Sequence, residues 1–218
     1  MQRPGCLTGL VLLLYPILML QFQQAALLRI GLAPQWVPLL VALTLLGGMI
    51  HLPLWSREVE SLVPCPPPRW FGLPWGAPVL MRRRQHQVIA LNLGGGLIPG
   101  VLSLIALASL PAPLLPRVGL VFLGVCLVAY RSSKVIAQVG VLMQPILPAL
   151  ASALLASWLV PSAAPAVAFA CGVLGVLVGA DLLRLGPILR SGVAVVSIGG
   201  AGTFDGIWLT GLMAGLLS

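Results

Sequence analysis

The sequence predicts an all-α polytopic membrane protein with about seven transmembrane helices. Its mean hydropathy is +1.08, and 59% of its residues are hydrophobic. Charged residues make up 7% of the 218 residues, whereas a soluble domain carries about 25%. So few charged side chains cannot cover a water-facing surface. Lipid is therefore the expected solvent of a single transmembrane domain over residues 1–218.

Seven apolar runs define the predicted spans. Their approximate limits are Leu7–Ala26, Trp36–Leu54, Val88–Leu110, Pro113–Tyr130, Val141–Val160, Pro165–Leu183 and Val193–Leu217. The first run is longer than the apolar core of a typical signal peptide. We therefore expect it to be retained as the first helix.

The basic residues predict how the spans are oriented. Ten of the twelve Lys and Arg residues fall on the side of the N-terminus: Arg3, Arg57, Arg69, Arg82, Arg83, Arg84, Arg131, Lys134, Arg184 and Arg190. The other side has Arg29 and Arg117. Because cytoplasmic segments are enriched in Lys and Arg, this split predicts a cytoplasmic N-terminus and an outer C-terminus. The basic residues form no long stripe, which argues against nucleic acid as a partner.

The longest segment between spans, residues 55–87, is rich in proline, tryptophan and arginine. We interpret it as an extended cytoplasmic surface loop rather than a folded domain, anchored at the interface by Trp55, Trp70 and Trp75. Its arginine run, Arg82–Arg84, either sets topology alone or also binds anionic lipid headgroups, at about 1 kcal/mol per charge.

Three segments at the cytoplasmic beginnings of spans share a β-branched run, a polar residue and glycine. The polar residues are Asn92, Gln138 and Ser197, and glycines follow at 94–96, at 140 and at 199, 200 and 202. Irregular backbone at membrane depth is tolerated only where protein buries it or where it lines a water-filled cavity. The pattern predicts that these segments converge on a polar interior facing the cytoplasm.

Two aspartates, Asp181 and Asp205, lie within or at the edge of apolar spans. An aspartate at the bilayer centre costs roughly 2.5–3.5 kcal/mol, so such residues usually have a function or a cationic partner. In the predicted topology both lie near the cytoplasmic ends of consecutive helices. Two facing carboxylates share a proton, so that one acts as a base and the other as an acid.

A structural interpretation of the two aspartates stands beside this catalytic one. Asp181 would then pair with Arg184, three residues later on the helix. Asp205 would cap the last helix or accept N–H groups of residues 199–202.

A further alternative is a small secondary transporter, or an ion or proton pathway, built on broken helices. Besides the aspartates, its substrate or ion site would contain Asn92, Gln138, Ser197, Gly200, Gly202 and Thr203. His51 and His86 would assist a proton or metal pathway. A non-catalytic membrane scaffold is the third class of function.

The four cysteines, Cys6, Cys65, Cys126 and Cys171, show no CxxC spacing. We therefore expect neither a zinc site nor a disulfide framework, and the sequence contains no recognisable cofactor motif. The small-residue pattern Gly172-x-x-Gly175-x-x-x-Gly179 allows helices to approach closely. We expect it to act within the monomer first, and at a face between copies of the chain second.

The string Gly199–Gly211, together with Asn92–Pro99, is similar to a prokaryotic family of small membrane proteins called domain of unknown function 1614. The resemblance covers most of the chain from the second span onward. It implies a multi-pass fold in a prokaryotic inner membrane, and it implies no activity.

A fainter resemblance links the aspartates to the GxGD intramembrane aspartyl proteases. Asp181, near the end of one helix, and Asp205, after the glycines of the next, match that group in order, orientation and depth. The resemblance implies a catalytic dyad. The pattern departs from the group because Thr203 and Phe204 separate Gly202 from Asp205. The tripeptide Pro-Ala-Leu also stands before the aspartates, at residues 148–150, and not after them.

Overall fold

The structure, a computed structural model, describes residues 6–65, 69–70, 73–74, 79–136, 140–191, 193–200 and 206–218. In this part of the chain, an α-helix overlaps each of the seven predicted spans, and the predominance of helix is confirmed. The helices are α1 (Cys6–Arg29), α2 (Val37–Gly47), α3 (Ile98–Ala108), α4 (Leu115–Ser132), α5 (Ile146–Leu159), α6 (Ala164–Val176), the short α7 (Leu185–Arg190) and α8 (Gly206–Leu217).

Proline occupies the first turn of α2, α3, α4 and α6. Its fixed φ suits a helix start, and its missing N–H would have no partner there in any case. Short 3₁₀ turns lead into three of these helices, at Pro34–Trp36, Ala112–Leu114 and Pro161–Ala163. Proline thus fixes where the apolar runs become helical.

Two helical stretches among the described residues are long and apolar enough to cross a membrane, Ala112–Ser132 and Pro161–Leu182. Four other apolar helices are shorter, namely Pro34–Gly47, Leu93–Ala108, Ile146–Leu159 and Gly206–Leu217. They are shorter than the predicted spans because parts of those spans fold as strands and turns.

The segment expected to be an extended surface loop, residues 55–87, lies largely in a long β-hairpin. Strand β1 (His51–Cys65) pairs antiparallel with β4 (Val79–Asn92), and two short strands, β2 (Arg69–Trp70) and β3 (Leu73–Pro74), pair between them. Pairing satisfies the backbone groups that a single extended segment would leave free.

The arginine and tryptophan residues of that segment are only partly described. Arg84 pairs opposite Glu60 in the hairpin, with Arg84 Nε 3.8 Å from Glu60 Oε1, and both side chains are exposed. Trp55 is also exposed. The side chains of Arg82, Arg83, Trp70 and Trp75 lie outside the described residues.

The hairpin continues into a small mixed sheet, which differs from the all-α expectation. Strand β7 (Val195–Ile198) pairs parallel with β4, from Val88 opposite Val195 to Leu91 opposite Ile198. A third hairpin joins β5 (Lys134–Ile136) to β6 (Gly140–Leu142). The β-branched runs at the beginnings of the predicted spans favour strands here, because such side chains suit a pleated, half-buried surface.

Helix α6 lies at the centre of the helical part. Its Phe169 meets the buried Trp208 of α8 edge to face, with ring centroids 5.9 Å apart. A Cβ on Gly172 would touch Gly211 of α8, and one on Gly175 would lie 2.7 Å from Val125 of α4. The small-residue pattern therefore serves close packing within the chain, as expected.

The helices run back and forth between two ends. At one end, Arg29 of α1 donates to the Ser218 carbonyl, 2.6 Å away, beyond α8. At the other end, Arg184 after α6 donates to the Tyr130 carbonyl of α4, also at 2.6 Å. The sheet, α7 and the glycine-rich segments gather at this second end. Arg131 lies in the last turn of α4 and Arg190 in the last turn of α7, so this end is basic.

Candidate functional site

A cavity of about 290 Å³ lies at the end of the helices where the sheet meets α6 and α8. Four parts of the chain line it: the β5–β6 hairpin with the residues after it, the end of α6, the segment from α7 to β7, and the beginning of α8. The lining residues are Gly140, Val141, Leu142, Met143, Ala180, Asp181, Leu185, Ile188, Val193, Val195, Val196, Ser197, Ile198, Gly200, Gly206 and Ile207. The glycine-rich segments at 140 and 199–200 thus meet here, although most of the lining is apolar.

Asp181 supplies the carboxylate of this cavity. After Val176, helix α6 widens into a π-helix over Leu177–Leu182, which contains the aspartate. Such widened turns occur often at functional sites. The Asp181 Oδ2 atom accepts the backbone N–H of Gly199 at 3.1 Å. The carboxylate is therefore fixed against the glycine turn that follows β7.

The expected pair of Asp181 with Arg184 is not formed. Among the described residues, the ion pairs are Glu60 with Arg84 and Glu58 with His86. The Arg184 guanidinium instead lies over the Tyr130 ring, with Cζ 4.2 Å from the centroid. The widened turn ends between the two residues, so the regular spacing on which the prediction relied is lost.

The backbone of the glycine turn favours glycine at its centre. Gly199 has φ +86° and Gly200 has φ +68°, both in the left-handed region that glycine adopts without steric cost. The Ser197 hydroxyl donates to the Gly200 carbonyl at 2.5 Å and closes the turn. Ser197 and Gly200 therefore shape the cavity wall that faces Asp181.

Asn92 holds a second glycine turn, beside the first, and does not line the cavity. Its Oδ1 accepts the N–H of Gly95 at 2.7 Å, and its Nδ2 donates to the Gly48 carbonyl at 2.8 Å. The same Nδ2 lies 3.2 Å from His51 Nε2. The fully buried carboxamide thus acts as a cap that joins α2 to the π-helix at Leu93–Leu97.

Gln87 is an important buried polar residue that the sequence reasoning missed. Its Nε2 donates to the carbonyls of Leu189 and Val193, at 3.1 and 2.8 Å, and its Oε1 accepts Arg57 Nε at 2.9 Å. These bonds fasten the segment between α7 and β7 to the hairpin. The available signal was its position, as a polar residue directly before the β-branched run at Val88.

The remaining predicted site residues lie elsewhere or outside the described part. Gln138, Gly202, Thr203 and Asp205 are not described, although Asp205 directly precedes Gly206, which lines the cavity. His86 is exposed in the hairpin, 3.7 Å from Glu58. Within the residues that the structure describes, no three His, Cys, Asp or Glu side chains are grouped as metal ligands.

Comparison with known proteins identifies a family but no characterised relative. Neither a curated protein nor a solved structure matches the chain. The family described as "Protein of unknown function (DUF1614)" matches residues 45–217, which include the hairpin, Asp181 and the glycine turn. Because the match covers most of the chain, the protein belongs to the DUF1614 family.

Proposed function

We propose that this chain is a multi-pass protein of a prokaryotic inner membrane and that its Asp181 cavity is a two-aspartate hydrolytic site of the intramembrane protease type. Asp205 is the second carboxylate of the proposal. One observation carries it: Asp181 borders the same cavity as Gly200 and Gly206, and the segment between these glycines contains Asp205. The basic end of the helices, where the cavity lies, would face the cytoplasm.

In the proposed reaction, one ionised carboxylate takes a proton from water, and the water oxygen attacks a peptide carbonyl. The other, protonated carboxyl group donates to the carbonyl oxygen. When the tetrahedral intermediate collapses, the C–N bond breaks and the leaving nitrogen takes up a proton. The net change is the addition of one water molecule across one peptide bond.

The surroundings of Asp181 favour it as the carboxylate that takes the proton from water. The Gly199 N–H points at Oδ2, and a backbone N–H donated to a carboxylate forms a charge-assisted hydrogen bond. The apolar residues around it, such as Val196 and Ile207, are largely buried. In such surroundings a reacting carbonyl is shielded from bulk water, and the electrostatic effect of each carboxylate is strengthened.

The test uses a photoreactive hydroxyethylene transition-state analogue on the full chain in membranes. We expect labelling of the wild type and its loss in both Asp181→Asn and Asp205→Asn, with unchanged protein abundance. Glu58→Gln is the matched control, because it neutralises an exposed carboxylate in the hairpin and should retain labelling. Equal labelling of the wild type and both aspartate variants would overturn the proposal.

A cation or proton pathway is the second candidate, and the broken end of α6 favours it. The π-helix at Leu177–Leu182 places Asp181 where helical backbone gives way to a turn, as in the interrupted helices of transporters. Proteoliposomes with an internal pH-sensitive dye distinguish the two functions. Proton flux that Asp181→Asn abolishes, without labelling by the analogue, would favour the pathway. If both aspartate variants retain the protein's cellular function, a scaffold role remains.

A further inference from the structure

We propose that Arg184 and the groove beside it form a binding site for one anionic phospholipid. The proposal rests on the membrane location proposed above, but not on the activity of the Asp181 cavity. The groove measures about 380 Å³ and is open along one side of the bundle. It lies between α4 and the end of α6, and its lining residues are Leu123, Cys126, Leu127, Tyr130 and Leu183.

The cation at the end of the groove is held in one position. The Arg184 Nη2 atom donates to the Tyr130 carbonyl at 2.6 Å, and Cζ lies 4.2 Å from the Tyr130 ring centroid. The Nε atom is buried without a hydrogen-bond partner. A guanidinium stacked in this way has lost most of its side-chain freedom before any ligand arrives.

The positive charge of Arg184 lacks a carboxylate partner among the described residues. The two glutamates stand beside Arg84 and His86 in the hairpin, and Asp181 receives the Gly199 N–H. Arg131 and Lys134, both exposed, follow Tyr130 in the chain and add positive charge at the same end of α4. A phosphate group fits this cluster, since guanidinium donors match its geometry.

The apolar part of the site determines which phosphate compound fits. Leu123, Leu127 and Leu183 are each 58–61% exposed and face outward from the bundle. In a membrane this surface meets acyl chains, and each methylene group in contact adds to binding. A groove of leucines that ends at a fixed arginine therefore suits a lipid with an anionic headgroup better than a soluble phosphate.

The test measures lipid binding to the full chain in a neutral detergent by native mass spectrometry. The probes are phosphatidylglycerol and phosphatidylcholine with identical acyl chains. We expect the wild type to prefer phosphatidylglycerol by about fivefold, equivalent to about 1 kcal/mol for one basic residue at the surface. Arg184→Gln should remove most of the preference, leaving the part that Arg131 and Lys134 contribute, and Arg184→Lys should retain more of it. Arg117→Gln, which removes an exposed arginine at the other end of α4, should leave the preference unchanged.

A groove variant keeps the proposal testable if Arg184→Gln fails to fold. Leu127→Trp retains every charge and fills the groove, so it should weaken the binding of both lipids. Equal binding of the two lipids by the wild type would overturn the proposal. An equal loss of the phosphatidylglycerol preference in Arg184→Gln and Arg117→Gln would also overturn it. Displacement of the lipid by inorganic phosphate would point to a soluble anion. Extraction of the protein from membranes by alkaline carbonate would instead refute the proposed location.

Discussion

Gly96 and Gly199 approach so closely that a Cβ atom on Gly199 would lie 2.5 Å from the Gly96 Cα atom. The contact joins the two glycine-rich turns, one after β4 and one after β7. Since Gly199 also donates its N–H to Asp181, the contact sets the position of the proposed catalytic carboxylate.

Gly199→Ala should therefore destabilise the protein strongly. A non-glycine residue at φ +86° costs about 1–2 kcal/mol, and the clash with Gly96 adds to that cost. Gly31→Ala is the matched control, because Gly31 has φ +98° and no atoms within 4 Å of the added Cβ. Thermal unfolding in detergent, followed by tryptophan fluorescence, should show a clearly larger loss for Gly199→Ala. Equal decreases in melting temperature for the two variants would mean that the contact with Gly96 does not contribute to stability.

Gln87→Leu should loosen the cavity wall at the segment between α7 and β7. The change removes the Gln87 donor from the Val193 carbonyl and one of the two donors of the Leu189 carbonyl, which also accepts Arg57 Nη2 at 3.2 Å. A buried carbonyl left unpaired costs about 1–3 kcal/mol. Hydrogen exchange should accelerate in residues 189–195. The control is Gln21→Leu, at an exposed position of α1, which should change neither the stability nor the hydrogen exchange. Unaltered exchange in Gln87→Leu would refute the idea that Gln87 holds this segment against the hairpin.

Asn92→Ala should separate α2 from the turn at Leu93–Leu97. The substitution removes the bond to the Gly48 carbonyl and the cap on Gly95, and buried groups left unpaired cost about 1–3 kcal/mol. Ser109→Ala removes an exposed local bond to Ala106 and should cost far less. A shift in melting temperature for Asn92→Ala no larger than that for Ser109→Ala would contradict the assigned role.

Gln23 and Trp208 should show energetic coupling across the first and last helices. Trp208 Nε1 donates to Gln23 Oε1 at 3.3 Å, and both side chains are buried. A double-mutant cycle of Gln23→Leu and Trp208→Phe, measured by unfolding in detergent, should give a coupling of about 1 kcal/mol. Repeating the cycle with Trp158→Phe, at a tryptophan that is 78% exposed, should give no coupling.

The helices could be predicted from the sequence more fully than the strands. Long apolar runs with proline at their beginnings locate the helices, because hydrophobic length and proline geometry act locally. Residues 88–92 and 195–198 belong to equally apolar runs, yet they pair as strands. That pairing depends on a partner distant in the sequence, so no local pattern reveals it.

The grouping of some candidate residues was predictable from the sequence. Asp181, Ser197 and Gly200 border one cavity, and its role as a functional site stays a prediction. Asn92 matched the same pattern, but its carboxamide is used by backbone groups. The pattern gives the type of residue but not its partners, and for the same reason it could not single out Gln87. Whether Asp205 faces Asp181 stays a prediction, since Asp205 lies outside the described residues.

The parallel pairing of β4 with β7 also affects the order of events during biosynthesis. Gln87 and Val193, which flank this pairing, are 106 positions apart in the chain. All helices up to α7 are translated before β7 reaches β4. During that time the β1–β4 hairpin has no β7 strand beside it. Asp181 acquires the Gly199 N–H only after β7 docks. The cavity is thus completed only after β7 and the beginning of α8 have been translated, and a nascent chain that stops before β7 lacks it.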